Sequence, residues 1–197
     1  MNNESVLREF NEAEAILKGH FVLSSGLHSD TYLQCARVLM DTNRSQKLCG
    51  QLAEKVRSEI NEDIDMVVAP AMGGVVVGYE MGRQLEKTTI FCERVDGKFA
   101  IRRGFEIKKG AKILVVEDVV TTGKSSLEAM DCIRAYGGEI VAEACLIDRS
   151  NGTADIGVPL VSLVKLEVLT FSEDNPPAHL KDIPAIKPGS RWISAKG

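Results

Sequence analysis

Several things are missing or scarce in this sequence, and each absence narrows what it can be. No two of its five cysteines, Cys35, Cys49, Cys92, Cys132 and Cys145, are spaced as Cys-x-x-Cys. Their odd number and wide spacing argue against a disulfide framework or a zinc site and suit buried thiols in a reducing compartment. The three histidines, His20, His28 and His179, are scattered, as structural histidines usually are, and no metal or relay role is assigned to them. No apolar run reaches the roughly 20 residues needed to span a bilayer. Glu4, Glu9, Glu12 and Glu14 stand where a signal peptide would need a basic start, so a cytoplasmic protein without a membrane partner is expected. Net positive charge is also absent. At −4 and a pI near 5.5, the chain has no broad basic face to displace counterions from nucleic acid, and an anionic ligand needs a local cluster.

What is present fits one domain over residues 1–197, since this length leaves no room for two independent catalytic domains. Val6, Leu7, Phe10, Ala13, Ile16 and Leu17 recur at helical spacing and predict a first helix ending near Gly19. Phe21 to Leu23 and Thr31 to Leu33 flank the turn-rich Ser24-Ser25-Gly26 and predict a hairpin, so residues 1 to about 40 read as a small cap. Asp41 or Thr42 then caps a second helix carrying Leu48, Leu52 and Val56 on one face. Continuous Val- and Ile-rich runs follow at Met66 to Ala69, Thr88 to Cys92, Lys112 to Val116 and Glu139 to Ile147. Such runs are the mark of strands covered on both faces. Helical stretches at Val75 to Leu85 and Ser125 to Tyr136 lie between them, which predicts an α/β fold with a mostly parallel sheet flanked by helices. Prolines 176, 177, 184 and 188 and the lone Trp192 predict a mostly irregular C-terminus.

The chemistry concentrates in Val115-Val116-Glu117-Asp118-Val119-Val120-Thr121-Thr122-Gly123-Lys124-Ser125, an apolar strand ending in two acids and a hydroxyl-rich turn that enters a helix. From Thr121 to Ser125, backbone N–H groups without intrahelical acceptors and the helix dipole together make a phosphate site. Glu117 and Asp118, just before it, are placed to accept hydrogen bonds from vicinal hydroxyls about one sugar away. The combination describes a ribose 5-phosphate. Gly123-Lys124-Ser125 also matches the end of a Walker A loop, but the first glycine of that motif falls on Asp118, whose charge would oppose a phosphate cradle. A second small-residue turn, Ala69-Pro70-Ala71-Met72-Gly73-Gly74, opens another helix; it reads either as a close approach for a second anion or as tight helix-on-strand packing.

The eleven-residue segment resembles the phosphoribosyl pyrophosphate signature of type I phosphoribosyltransferases. Gly19-His20-Phe21-Val22-Leu23-Ser24-Ser25-Gly26-Leu27-His28-Ser29 and Leu146-Ile147-Asp148-Arg149 are similar to the orotate branch of that family, so the resemblance covers nearly the whole chain. It implies the type I phosphoribosyltransferase fold, with residues 1 to about 40 as a hood over the base. It also implies that Glu117 and Asp118 hold the ribose hydroxyls and that Val119, Val120, Thr121, Thr122, Gly123, Lys124 and Ser125 hold the 5-phosphate. Ala71, Met72 and Gly73 would then form the pyrophosphate loop, with a cis peptide between Ala71 and Met72. Arg149, suited to a carboxylated pyrimidine by its two parallel donors, would meet orotate with Thr121, Ser25 and Gly26; the alternative is a surface salt bridge with Asp148 or another acid.

Arg94, Lys98, Arg102 and Arg103 crowd the Asp96-Gly97 turn, so residues 93 to 104 form either a basic ribbon closing over pyrophosphate or an ordinary solvated hairpin. The resemblance makes Arg94 and Lys98 the basic positions that reach a neighbour's site, and so implies a homodimer with shared sites. The implied reaction displaces pyrophosphate by a ring nitrogen, with Lys98, Glu117 and Asp118 catalytic and Mg2+ carried by substrate oxygens rather than by protein ligands. Two rivals share the fold: a purine phosphoribosyltransferase, and a regulator that senses phosphoribosyl pyrophosphate and binds nucleic acid.

Overall fold

A computed structural model of the chain describes residues 3–23 and 26–188. The expectations for Ser24, Ser25 and Trp192 fall outside these residues. Helix α1 covers Asn3–Glu12, strands β1 and β2 cover Ile16–Val22 and His28–Leu33, and helices α2 and α3 cover Cys35–Leu39 and Thr42–Glu59. Strand β3 (Met66–Pro70), helix α4 (Gly73–Leu85), strands β4 (Thr88–Val95) and β5 (Lys98–Ile101) and strand β6 (Lys112–Val120) follow. Helix α5 (Lys124–Ala135), strands β7 (Glu139–Asp148), β8 (Leu160–Lys165) and β9 (Thr170–Phe171) and a short 3-10 turn at Ala178–Leu180 complete the order.

The predicted parallel sheet is present as six strands in the order β5-β4-β3-β6-β7-β8, with β5 alone antiparallel. From β3 the chain moves through α4 to β4 on one side, then returns to place β6 on the other. The order therefore reverses between β3 and β6, and crossovers of one hand put α4 and α5 on opposite faces. Pairing of β3 with β6 stops at Val68↔Val115, although β3 runs on to Pro70 and β6 to Val120. Beyond that point the strands splay and leave a crevice at their carboxyl ends.

Two cores lie on the two faces. Val6, Phe10, Leu48, Leu52, Val77 and Met81 cover Leu114, Val116 and Leu146 on one side, and Ala129, Met130 and Ile133 of α5 cover Val68, Ile113 and Val115 on the other. Each such side chain contributes about 1.5–3 kcal/mol by leaving water. Asp41 caps α3 by accepting from the N–H groups of Asn43 and Arg44, both at 3.0 Å.

Three local expectations need correction. Ile16 and Leu17 belong to β1 rather than to the first helix, because α1 ends at Glu12 and Glu14 takes a left-handed conformation that breaks the helical run. The hairpin is accordingly longer than its β-prone residues suggested. The tail is also less irregular than its prolines imply: β9 pairs with β2 to make a second, three-stranded sheet β1-β2-β9. The 180s add to it, since Ile186 exchanges backbone hydrogen bonds with His20 and Val22. His20 and His28 are buried in that sheet with ring nitrogens 2.7 Å apart, and His20 Nδ1 donates to the Ile183 carbonyl at 2.8 Å. Neither α2 nor β8 was read from the sequence, and β5 only as an arm of the ribbon or hairpin over residues 93 to 104.

Helix α4 lies against β3 with no room to spare. A Cβ at Gly78 would come 2.5 Å from the Ala69 Cβ, well inside contact distance. Gly78→Ala should therefore destabilise the protein by roughly 1–3 kcal/mol, overriding the gain in helix propensity of about 1 kcal/mol. Urea unfolding of the two proteins measures the sign directly.

Candidate active site

Strand β6 carries Glu117 and Asp118 to the splayed end of the crevice, and the start of α4 lies against them. A Cβ at Gly73 would stand 2.9 Å from Asp118 Oδ1, and one at Gly74 would stand 3.0 Å from the Val116 carbonyl and 3.1 Å from Glu117 Oε2. The two small-residue turns seen in the sequence thus meet in space, and glycine lets them meet. The peptide between Ala71 and Met72 is cis. Ala71 is half-buried and donates its N–H to the Cys92 carbonyl at 2.7 Å, while Met72 and Gly73 are exposed at the crevice rim.

The acids are held without a cation in contact among the described residues. Burial pushes the Glu117 carboxyl well above the usual carboxylate range, and like charge on Asp118 and Glu143 adds to the rise. Burial also raises Asp118, against the pull of the Val119 N–H that donates to its Oδ1 at 2.9 Å. Hydrogen-bond donors and positive charge brought by a ligand would reverse both shifts.

After Val119 and Val120 the chain leaves the sheet through exposed Thr121 and Thr122 and turns at Gly123, whose φ is +75°. A Cβ there would stand 2.7 Å from Ile156 Cγ2, so the turn is tucked under the 150s loop. Lys124 and Ser125 are exposed in the first turn of α5, where N–H groups lack intrahelical acceptors. The helix start where the sequence predicts an anion site thus follows directly on the strand that carries the two acids.

Arg149 follows β7 immediately, and its N–H donates to the Val120 carbonyl at 2.8 Å, so it stands beside the same strand end. The alternative reading, a salt bridge from Arg149 to Asp148 or another acid, is not formed among the described residues; Asp148 accepts instead from the Ser150 N–H at 2.8 Å. The Arg149 Nε is buried and has no hydrogen-bond partner among the described residues. Burial lowers its affinity for a proton, while Cys35, Tyr32 and Asp30 act the other way. Sequence reasoning missed Tyr32 and Cys35. Burial raises both, and each feels Asp118 on one side and Arg149 on the other. A tyrosine inside a strand of alternating burial resembles any other strand residue, so no signal marked it before β2 folded over the crevice.

Residues 93 to 104 form an ordered hairpin to Ile101, with Asp96 and Gly97 both at positive φ in its two-residue turn. Arg94 is not free: it bonds Glu128 at 2.5 Å and the Gly97 carbonyl at 2.8 Å and lies 4.1 Å over Phe99. Arg102 and Arg103 pair with Glu93. Lys98 is exposed, with no ion pair among the described residues. Gly26 is exposed at φ +85°, and Ser25 lies outside the described residues.

Comparison with known proteins gives a consistent answer. The phosphoribosyl transferase domain family matches residues 38–181. The chain is 56% identical to an orotate phosphoribosyltransferase from Sphingopyxis alaskensis over 99% of this chain and all of that one. It is 49% identical to one from Bartonella henselae over 98% of this chain and all of that one. Among solved structures, orotate phosphoribosyltransferase from Aeropyrum pernix superposes with a TM-score of 0.68 at 27% identity, covering 81% of this chain and 93% of that one. A Mycobacterium tuberculosis orotate phosphoribosyltransferase in complex with 5-phospho-alpha-D-ribosyl 1-diphosphate shares the fold, at a TM-score of 0.64 and 22% identity over 83% and 95% of the two chains.

Glu117 and Asp118 are both raised by burial, so each stabilises the fold fully below its unfolded value and loses that contribution as pH rises through the folded one. Asp118→Asn mimics the protonated acid. Its melting temperature should match wild type near pH 4 and exceed it at pH 8, in thermal unfolding followed at both pH values.

Proposed function

This chain belongs to the phosphoribosyl transferase family, among its orotate phosphoribosyltransferases, and we propose that it transfers ribose 5-phosphate from phosphoribosyl pyrophosphate to orotate. The products are orotidine 5'-phosphate and pyrophosphate, a step of pyrimidine nucleotide synthesis. The observation that carries the choice of base is Arg149, a half-buried residue whose buried Nε has no hydrogen-bond partner among the described residues, beside the same strand end as the two acids. A carboxylated pyrimidine supplies the missing acceptor, whereas a purine would leave that buried N–H unpaired.

In this reading the 5-phosphate docks on the turn from Thr121 to Ser125, and the ribose hydroxyls donate to Glu117 and Asp118. Those bonds favour the ionised carboxylates, which then face the positive charge that develops on the sugar as its bond to pyrophosphate breaks. A ring nitrogen of orotate forms the new bond to the same carbon. Arg149, with Thr121, Ser25, Gly26 and the newly recognised Tyr32, holds the base so that this nitrogen faces the anomeric carbon. Ala71, Met72 and Gly73 line the pyrophosphate side, and Arg94 and Lys98 supply donors to the leaving group.

Among the described residues no three His, Cys, Asp or Glu side chains are grouped to hold a metal. Glu117 and Asp118 alone suit a Mg2+ carried by substrate oxygens, with the two acids receiving the sugar beside it. Such an ion neutralises the leaving pyrophosphate.

The enzyme acts as a homodimer with sites shared across the interface. Supporting this, Met72, Val76 and Tyr79 are 82%, 50% and 68% exposed at helical spacing along the start and outer face of α4, an apolar stripe suited to a second copy. Lys98 stands at the sheet edge, placed to reach outward. Residues 1–197 act as one phosphoribosyltransferase domain, with the first forty contributing the hood. The acidic charge and the lack of a membrane-crossing helix among the described residues support a cytoplasmic enzyme without nucleic-acid or membrane partners.

Absorbance assays with phosphoribosyl pyrophosphate and Mg2+ should show turnover of orotate and none of uracil, adenine, hypoxanthine or xanthine; purine turnover would overturn the base. Asp118→Asn should lower kcat/KM roughly 10- to 150-fold, the value of one hydrogen bond to a charged group. Lys98→Ala should be impaired as well. If sites are shared, mixing these two inactive variants should restore roughly a quarter of wild-type activity, because half of the dimers then carry one intact site. No recovery on mixing would place Lys98 and Asp118 in the same subunit's site.

A further inference from the structure

Glu143 sits in the middle of β7 with no exposure to solvent. Its Oε1 accepts from the Ser126 hydroxyl at 2.7 Å, and its Oε2 has no hydrogen-bond partner among the described residues. No cation contacts it there. The registers Val115↔Glu143 and Glu117↔Cys145 put Glu143 diagonally behind Glu117 on the neighbouring strand. A strand buried on both faces has no structural need for a carboxyl at this place, and isolating an ionised one there is strongly unfavourable. Ser126, its partner, is the third residue of α5, within the first turn, whose N–H groups lack intrahelical acceptors and which the proposed function assigns to the 5-phosphate.

We propose that Glu143 is a positioning residue: as the neutral acid it holds Ser126, and through it the first turn of α5, in the placement that receives the 5-phosphate. This role rests on the phosphoribosyl pyrophosphate reading of the site. Burial pushes the Glu143 carboxyl up to about 7, with the Ser126 bond opposing the rise. The titratable groups coupled to it are Glu117 on β6 and Cys145 on β7, both pushed up in turn by its negative charge; α5 meets it with Ser126, and β8 pairs with it through Leu160. Below pH 7 the group is neutral and the turn presents only its N–H dipoles to the phosphate. Above it, an ionised Glu143 places an uncompensated negative charge beneath the phosphate and beside Glu117, opposing the binding of an anionic substrate.

The test compares wild type, Glu143→Gln and Ser126→Ala from pH 6 to 8.5, by calorimetric binding of phosphoribosyl pyrophosphate and by its KM and kcat with orotate. Gln keeps the acceptor for Ser126 and never ionises. Wild type should match Glu143→Gln at pH 6 and bind roughly tenfold or more weakly than it at pH 8.5, with kcat nearly equal. The substrate's own titration is common to both proteins and cancels in the ratio. Ser126→Ala should bind several-fold more weakly at pH 6. Parallel profiles for wild type and Glu143→Gln, or unchanged binding by Ser126→Ala, would overturn the role of Glu143 while leaving the enzyme assignment intact. A wild-type protein that binds no phosphoribosyl pyrophosphate at pH 6 overturns both.

Discussion

One buried and one half-buried acid at a strand end, with no cation in contact among the described residues, impose the local structure around them. Glu117 and Asp118 are tolerated where β3 and β6 part because the crevice is flanked by the starts of α4 and α5, whose N–H dipoles supply diffuse positive potential. Glycine at 73 and 74 follows from the same constraint, since a side chain at either place would collide with carboxylate or backbone oxygen. Across the crevice stands the opposite imbalance, a guanidinium with an unpaired buried nitrogen. In the proposed function, a substrate that brings hydroxyl donors to one side and an anionic base to the other would satisfy both, which is how binding energy becomes selectivity.

The architecture serves that arrangement. A parallel sheet gathers the carboxyl ends of its strands on one edge, and the reversal of strand order between β3 and β6 opens the edge where the acids emerge. The small antiparallel sheet carries Tyr32, and with Cys35 just beyond it, to the space between Asp118 and Arg149, so the base side is closed by residues distant in sequence. Its third strand comes from beyond residue 165, which ties the two ends of the chain to one another over the site. The hairpin at the far edge holds Arg94 against Glu128, an exposed pair of small energetic weight. Such a contact is readily exchanged for a phosphate oxygen, so the ribbon can be ordered without ligand and still available to it.

The main strands and both crossover helices were legible in the sequence because a buried parallel strand must be a continuous apolar run and a surface helix must repeat its apolar residues. The acid pair and the turn after it were legible for a related reason: they are contiguous, and a strand followed by a hydroxyl-rich helix start permits few other geometries. Where the pattern was misread, local periodicity matched two structures. Ile16 and Leu17 continue a helical repeat and also fit a strand; the left-handed turn at Glu14 decided between them. β9 was invisible because two residues gain strand geometry only from a partner, β2, that lies about 140 positions earlier.

The sequence by itself determined the fold class, the turn from Thr121 into α5 and the identity of the acids before it, since each depends on residues adjacent in the chain. Only the tertiary structure decided which acids lie against which glycines, that the Arg149 Nε has no partner among the described residues, that Tyr32 lies near Asp118 and Arg149, and that Glu143 is buried against Ser126. Those are properties of desolvation and of contact between separate elements. A side chain's burial, and therefore its proton affinity and its need for a partner, does not exist until the chain has closed around it.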